Sequence, residues 1–189
     1  MKAVSSILLT FLCLSLTACF STHLPALEAP SGLDKLRSLS ERSVPLTIDA
    51  GNISKEKLGF QYLLVAIPFS RIYDPNIETD AELQFSVAGG LRGYTFTKSS
   101  TSSPRSLKLS VLSADLDGYD LLFVRKPTAS VTLFAALSEN GSVVRECTEK
   151  GVASNTAHYA FSVELQSALG EALLQASYKI LDCLGFASE

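Results

Sequence analysis

The stretch 129–150, ASVTLFAALSENGSVVRECTEK, decides the fold of this chain. In its first part, apolar residues fall on every second position: Val131, Leu133, Ala135 and Leu137. That period is typical of a β-strand with one buried face. Asn140-Gly141 follows, and both residues tolerate the positive φ angles of a type I′ turn. The sequence therefore predicts a β-hairpin whose return strand runs over residues 143–150.

A long amphipathic helix is predicted after this hairpin. It begins near Asn155 or Thr156 and runs to Leu184, just before Gly185, a residue that commonly stops helices. Its apolar positions keep a spacing of about 3.6 residues: Phe161, Leu165, Ala168, Leu169, Ala172, Leu173, Ala176, Ile180 and Cys183. One broad apolar face indicates that the helix lies across the sheet.

More strands are predicted upstream of the hairpin. Residues 107–111 alternate apolar and polar, Asp117-Gly118 marks a turn, and residues 119–124 continue extended. Residues 60–72 form the first strong strand signal, and residues 46–48 a short strand. With the hairpin, these segments predict an antiparallel or mixed sheet of four to five strands.

A shorter helix of about twelve residues is predicted between these strands. Thr79 or Asp80 is a candidate N-cap, because short polar side chains accept hydrogen bonds from the first free N–H groups. Leu83, Val87 and Leu91 form an i, i+4, i+8 apolar stripe. Two glycines at 89 and 90 indicate a close backbone approach, and Gly93 is a natural stop.

The fold class expected from these elements is α+β, with the sheet packed by one shorter helix and one long C-terminal helix. Residues 44–189 are expected to form a single domain, and residues 19–43, interrupted by prolines, a glycine and serines, a tether. The chain is 47% hydrophobic and 19% charged, which is enough apolar material for a core. A net charge of -3 without a long basic run argues against nucleic-acid binding.

The N-terminal segment is typical of an export signal. Lys2 is followed by an apolar run to Leu16, which is too short to span a bilayer comfortably. The residues that follow, Leu16-Thr17-Ala18-Cys19, resemble the lipobox of bacterial lipoproteins. The resemblance implies removal of residues 1–18 and lipidation of Cys19; the alternative is an ordinary secretory signal with a chance cysteine. In enteric-type Gram-negative bacteria, an aspartate directly after the lipidated cysteine resembles a signal for retention in the inner membrane. This position is Phe20 here, which favours the outer membrane.

Two cysteines stay available for a disulfide once the leader and Cys19 are set aside. Cys147 and Cys183 would lie in an oxidising compartment, where a bridge between them is plausible. Two buried free thiols are the alternative.

The sequence contains no recognisable catalytic or metal-binding constellation, so no cofactor is expected. Only two histidines exist, His23 in the tether and His158 at the start of the long helix. No Gly-x-Ser-x-Gly elbow accompanies them. Three aspartates at 115, 117 and 120 lack the acidic residue that completes a calcium loop, which favours a solvated turn.

The element order over about residues 60–185 is similar to that of small envelope lipoproteins. The positions that carry this resemblance are Gly93-Tyr94 at a helix end, the Asn140-Gly141 turn and the closing helix. The families concerned are the YajG type, the auxiliary lipoproteins of ABC and MCE lipid-transport systems (PqiC type), and the LPS-assembly lipoprotein LptE. The serine-rich segment 99–103 and the Cys147/Cys183 pair depart from their pattern.

Three functions are compatible with these features. The preferred one is a non-catalytic binding or assembly component of an envelope complex, held to the outer membrane by its lipid and facing the periplasm. A carrier of a lipid or apolar ligand, accessory to an ABC or MCE-type transporter, is the alternative; its acyl chain would lie between the sheet and the long helix. An envelope hydrolase using His158 is the third.

Overall fold

The computed structural model describes residues 21–34, 42–63, 67–98, 104–120, 125–155 and 161–186. These ranges contain eight strands and two α-helices. The strands are β1 (Ser21–His23), β2 (Arg42–Asp49), β3 (Gly59–Leu63), β4 (Ile67–Tyr73), β5 (Tyr94–Thr97), β6 (Arg105–Asp120), β7 (Arg125–Glu139) and β8 (Ser142–Ser154). The helices are α1 (Ile77–Gly90) and α2 (Phe161–Leu184), and a 3-10 turn covers Ile53–Lys55.

All eight strands belong to one mixed sheet, which confirms the predicted class α+β. The predicted number of strands, four to five, is wrong. Strand β6 is central: β7 runs antiparallel along one side, and β2 and β3 share the other side in parallel. The segment predicted as one strand over 60–72 is the antiparallel pair β3–β4. Strands this short carry too few residues for a period to show, which is why their number was underestimated.

The predicted hairpin is confirmed as the β7–β8 pair. Asn140 and Gly141 have φ angles of 51° and 81°, as a type I′ turn requires. The turn predicted at Asp117-Gly118 is wrong, because both residues lie within β6 and Gly118 pairs with Pro127. Asp117 instead accepts a hydrogen bond from the backbone N–H of Phe60 at 3.1 Å, which ties β3 to β6.

Helix α1 starts earlier than predicted and buries a different face. It begins at Ile77, and neither Thr79 nor Asp80 is its N-cap. Its buried apolar residues are Ile77, Ala81, Phe85 and Ala88, whereas Leu91 of the predicted stripe is 57% exposed. Small residues decide the face, since a Cβ at Gly89 would overlap the ring of Phe96. The close approach predicted at the glycine pair is therefore confirmed at Gly89.

Helix α2 lies across β7 and β8, as predicted, and also contacts α1. Its inner face is fully buried along the helix: Leu165, Ala168, Leu169, Ala172, Leu173, Ala176 and Ile180. The backbones come so close that a Cβ at Gly151 would overlap the backbone of Ala172. The space between this helix and the sheet is thus filled by protein. In the described ranges, no helix has the length and apolarity needed to cross a bilayer.

Candidate functional site

Part of the segment expected to be a loose tether is folded onto the domain. We call residues 21–34 the strap. Its strand β1 pairs in parallel with β4, and His23 stacks on Tyr73 with ring centroids 5.5 Å apart. The backbone N–H of Leu24 donates to the carbonyl of Tyr73 at 2.9 Å, and the Leu24 side chain is only 2% exposed. Further along the strap, Leu33 is also buried.

A buried carboxylate holds the middle of the strap. One oxygen of Asp80 accepts a hydrogen bond from the backbone N–H of Leu27 at 3.0 Å. The other oxygen accepts a hydrogen bond from Nε2 of Gln166 at 2.5 Å. Asp80 and Gln166 lie on α1 and α2, so this one side chain joins the strap to both helices. Burial raises the pKa of Asp80, and the hydrogen bonds from Leu27 and Gln166 oppose that rise.

A second buried carboxyl, Asp74, lies just before α1. One of its oxygens accepts the backbone N–H of Asn76 at 2.9 Å, while Oδ2 is buried without a hydrogen-bond partner among the described residues. Burial raises the pKa of Asp74 to about 7; the Asn76 bond lowers it, and the charge of Asp80 raises it. Asp74 therefore titrates close to neutral pH.

These two carboxyls were not recognised from the sequence as a pair. Both have fully buried side chains, and neither lines the groove described next. Their chemistry is that of internal supports: Asp80 satisfies two donors, and Asp74 starts the turn into α1. The hint available in the sequence was the pattern Asp74-Pro75-Asn76, a turn signal directly before a helix.

An open groove of about 580 Å³ lies between the strap and α1. Apolar atoms of Pro30, Leu33 and Leu83 line part of it. An ion pair of 2.6 Å between Lys98 and Glu82 lies at its side, with the lysine side chain 73% exposed. The groove exists because the strap folds over α1, so the same contacts that fix the strap also shape the groove.

Arg92 joins the end of α1 to the end of α2, a role that the sequence did not reveal. Its guanidinium donates to the carbonyls of Phe186 at 2.8 Å and Tyr178 at 3.4 Å, and it forms an ion pair of 2.6 Å with Asp182. A cation at this position also interacts favourably with the negative end of the α2 dipole. The Arg92 pairing lowers the pKa of Asp182.

Cys147 and Cys183 form a disulfide, which decides between the two alternatives left by the sequence. Their Cα atoms are 6.1 Å apart, and the bridge fastens the middle of β8 to the last turn of α2. Arg145 adds a hydrogen bond of 3.2 Å to the carbonyl of Cys183.

The face of β6, β7 and β8 that points away from α2 is largely open to solvent. We call it the outer face. It carries mixed charges and hydroxyls, and two of its apolar side chains, Leu112 and Val152, are more than half exposed. Exposed polar residues of the outer face are Lys108, Ser113, Asp115, Glu146, Thr148 and Lys150.

Comparison with solved structures places this architecture among known ones. A Xanthomonas campestris protein of the family described as DUF330 has a TM-score of 0.50 at 13% identity, covering 88% of this chain and 95% of that chain. The likeness is one of fold. A minor lipoprotein from Acinetobacter baumannii has a TM-score of 0.43 at 11% identity, covering 76% of this chain and 91% of that chain. No protein-family model matches this sequence. No curated protein matches it either.

The remaining sequence-predicted positions are distributed as follows. Cys19 and His158 lie outside the described residues, as does the whole Leu16-Thr17-Ala18-Cys19 motif. His23 is used in the strap, where it stacks on Tyr73. Among the described residues, no group of three or more His, Cys, Asp or Glu side chains is arranged to hold a metal ion.

Proposed function

We propose that this chain is a lipid-anchored, non-catalytic component of a cell-envelope complex, held by Cys19 at the periplasmic side of the outer membrane. The observation that carries the proposal is the position of β1. This strand begins at Ser21, two residues after Cys19, and is already paired with β4. Two residues span at most about 7 Å. A lipid on Cys19 would therefore hold the folded domain directly against the membrane surface.

The strap supports this proposal because it would connect the lipidated N-terminus firmly to the folded core. Leu24 and Leu33 are buried, and Asp80 links Leu27 to α2 through Gln166. A force on the N-terminus is thus borne by the core rather than by a loose linker. Such a construction suits a part whose position relative to the membrane matters.

The outer face is the surface that we assign to the envelope partner. The strands follow the order β1-β4-β3-β6-β7-β8, so the β8 edge lies five strands from the anchored β1 edge. At about 4.8 Å per strand, this distance is roughly 24 Å. Exposed Leu112 and Val152 would supply apolar contacts to the partner, and the charged and hydroxyl side chains around them would form the polar rim of the interface.

The first experiment tests the anchor in the full-length chain expressed in a Gram-negative host. Wild-type protein should incorporate labelled palmitate and sediment with outer membranes. The variant Cys19→Ser should lose the label and, if exported, appear in the soluble periplasm. A wild-type protein without label would contradict the anchor.

The second experiment tests the partner with a photo-crosslinking amino acid. It is placed at Leu112 on the outer face and, as a matched control, at Val163, an equally exposed residue of α2. A discrete crosslinked species is expected from Leu112 in intact cells and not from Val163. Absence of any species from the outer face would count against membership of a complex.

The two other functions have less support. An acyl chain between the sheet and α2 has no room, because Leu169, Leu173 and Gly151 fill that interface. The hydrolase alternative depends on His158, which lies outside the described residues. Both stay predictions without an observation that favours them.

A further inference from the structure

Strand β8 has one paired edge and one open edge. All of its thirteen residues except Val144 pair with β7, and no strand pairs with its other edge in the part of the chain that the structure describes. An edge of this length offers a row of backbone donors and acceptors to any strand that approaches it.

Two side chains of α2 identify the backbone groups that face the open edge. The N–H of Val152 donates to Oε1 of Gln175 at 3.4 Å, and the carbonyl of Lys150 accepts Nζ of Lys179 at 2.6 Å. Because backbone groups alternate between the two edges of a strand, Thr148 and Glu146 also direct their N–H and C=O outward. A bulge opposite Leu137 and Ser138 ends this regular stretch at Val144.

The side chains of these same residues form a self-complementary row. Val144, Glu146, Thr148, Lys150 and Val152 are all exposed. When two β8 strands pair antiparallel around Thr148, Glu146 of each copy faces Lys150 of the other. Thr148 then faces Thr148, and the valine positions at the two ends face one another.

Other registers lose this match. Moving the centre to Glu146 or Lys150 brings like charges together, and moving it to an adjacent odd position places each charge of this row opposite a neutral residue. On the other side of the strand, a centre at Cys147 would bring Arg145 opposite Glu149, but Arg145 already donates to the carbonyl of Cys183. Opposite charges that face each other directly stabilise a strand pair, and like charges in the same positions destabilise it. The charge pattern therefore selects one register and one symmetric partner, a second copy of the same chain.

We propose that two copies of this protein associate edge to edge through β8, in antiparallel register centred on Thr148. The interface is isologous, because each copy contributes the same strand. Each outward-facing residue exchanges two backbone hydrogen bonds with its partner, as in β-strand addition. Gln175 and Lys179 release Val152 and Lys150 when the second strand takes their place. The β1 edge lies at the other end of the sheet and stays free for the anchor.

The test is a charge-swap series on full-length protein purified in detergent, with mass measured by sedimentation velocity over a concentration series. Glu146→Lys replaces both opposite-charge contacts by Lys–Lys contacts, and Lys150→Glu replaces both by Glu–Glu contacts. Each single variant should raise the dimer dissociation constant about tenfold. The double variant Glu146→Lys/Lys150→Glu restores opposite charges and should return to within about threefold of wild type.

Lys126→Glu is the matched control. It changes the net charge as Lys150→Glu does, and Lys126 is exposed near the start of β7, away from the β8 edge. It should leave the dissociation constant unchanged, and circular dichroism should show all variants folded. A wild-type protein that stays monomeric at its highest soluble concentration overturns the proposal. So does a dimer that the single swaps do not weaken or that the double swap does not restore.

Discussion

The β1 and β8 ends of the sheet differ in length, cover and chemistry. Strand β1 has three residues, and the strap that continues from it is held by buried Leu24 and by Asp80. Strand β8 has thirteen residues and an open edge, and a disulfide fastens it from behind to α2. The β1 end thus depends on packing and a buried carboxylate, whereas the β8 end is held by a covalent bridge to α2.

The largest expected effect concerns the covalent support of the β8 end. Replacing both cysteines, Cys147→Ala/Cys183→Ala, removes a bridge between residues 36 apart in the sequence. We expect a loss of about 4 kcal/mol in the free energy of unfolding, from the loop-closure entropy regained by the unfolded chain. Urea denaturation of the oxidised wild type and the variant measures it. Reduced wild type should behave like the variant, and a difference below about 1 kcal/mol between oxidised wild type and variant would contradict the role assigned to the bridge.

The next effect concerns packing at the β1 end. Leu24→Ala should lower the free energy of unfolding by about 3 kcal/mol, because Leu24 is buried in the core. Limited proteolysis should then cut within residues 24–34 much faster than in wild type. Leu91→Ala is the matched control, since Leu91 is 57% exposed and should change stability by less than about 0.5 kcal/mol. Equal effects of the two changes would mean that the strap is not part of the core.

A pH-dependent effect is expected from Asp74. Its folded pKa of about 7 lies above the unfolded value of 3.8, so the folded state binds its proton more strongly. The stability due to this group is fully present below pH 4 and is lost as the pH rises towards and through 7. Asp74→Asn keeps an oxygen acceptor for Asn76 and removes the titration.

This variant should be about 2 kcal/mol more stable than wild type at pH 8, and it should lose that advantage near pH 4. Thermal unfolding at several pH values measures both points. Asp115→Asn, a change of the same charge at an exposed position of β6, serves as the control. A pH dependence identical in wild type and Asp74→Asn would refute the assignment.

The smallest effect concerns the two side chains that cover the β8 edge. Gln175→Ala should change the free energy of unfolding by less than about 0.5 kcal/mol, because its hydrogen bond to Val152 is exposed. At concentrations where the protein is monomeric, hydrogen exchange of the Val152 amide should nevertheless become faster, while the buried Val131 amide in β7 should not change. A protected Val152 amide in the variant would indicate that another group occupies this edge.

The sequence predicted the elements that are long and local. The Asn140-Gly141 hairpin and α2 follow from short-range turn chemistry and a sustained period, and both were predicted close to their observed positions. Strand β1 could not be predicted, because its partner β4 lies far along the chain, with Ser21 opposite Arg71. The division between β3 and β4 was missed, because both strands fall in one apolar stretch of sequence. The face of α1 was misjudged, because Ala81, Ala88 and Gly89 pack there beside Ile77 and Phe85, whereas Leu91 of the predicted stripe is exposed.

The candidate site was harder to predict than the fold. Asp80 was predicted as a candidate N-cap, which is wrong, and its buried contacts with Leu27 and Gln166 join residues 53 and 86 positions apart. Nothing local in the sequence encodes such pairings. The cysteine pair was predicted as an open alternative, because only the distance between the two Cα atoms could decide it.

The docked strap also determines how much space the domain can explore. A flexible tether of residues 19–43 would have a typical span of about 28 Å, against about 7 Å for the two residues that precede β1. Volume scales with the cube of that length, so with its lipid on Cys19 the domain would sample a region about 60-fold smaller. Its effective concentration towards neighbouring proteins in the same membrane would rise, and the distance over which it could contact a partner would fall. A protein anchored in this way would meet its partners at a fixed height above the membrane, as they diffuse within the plane of that membrane.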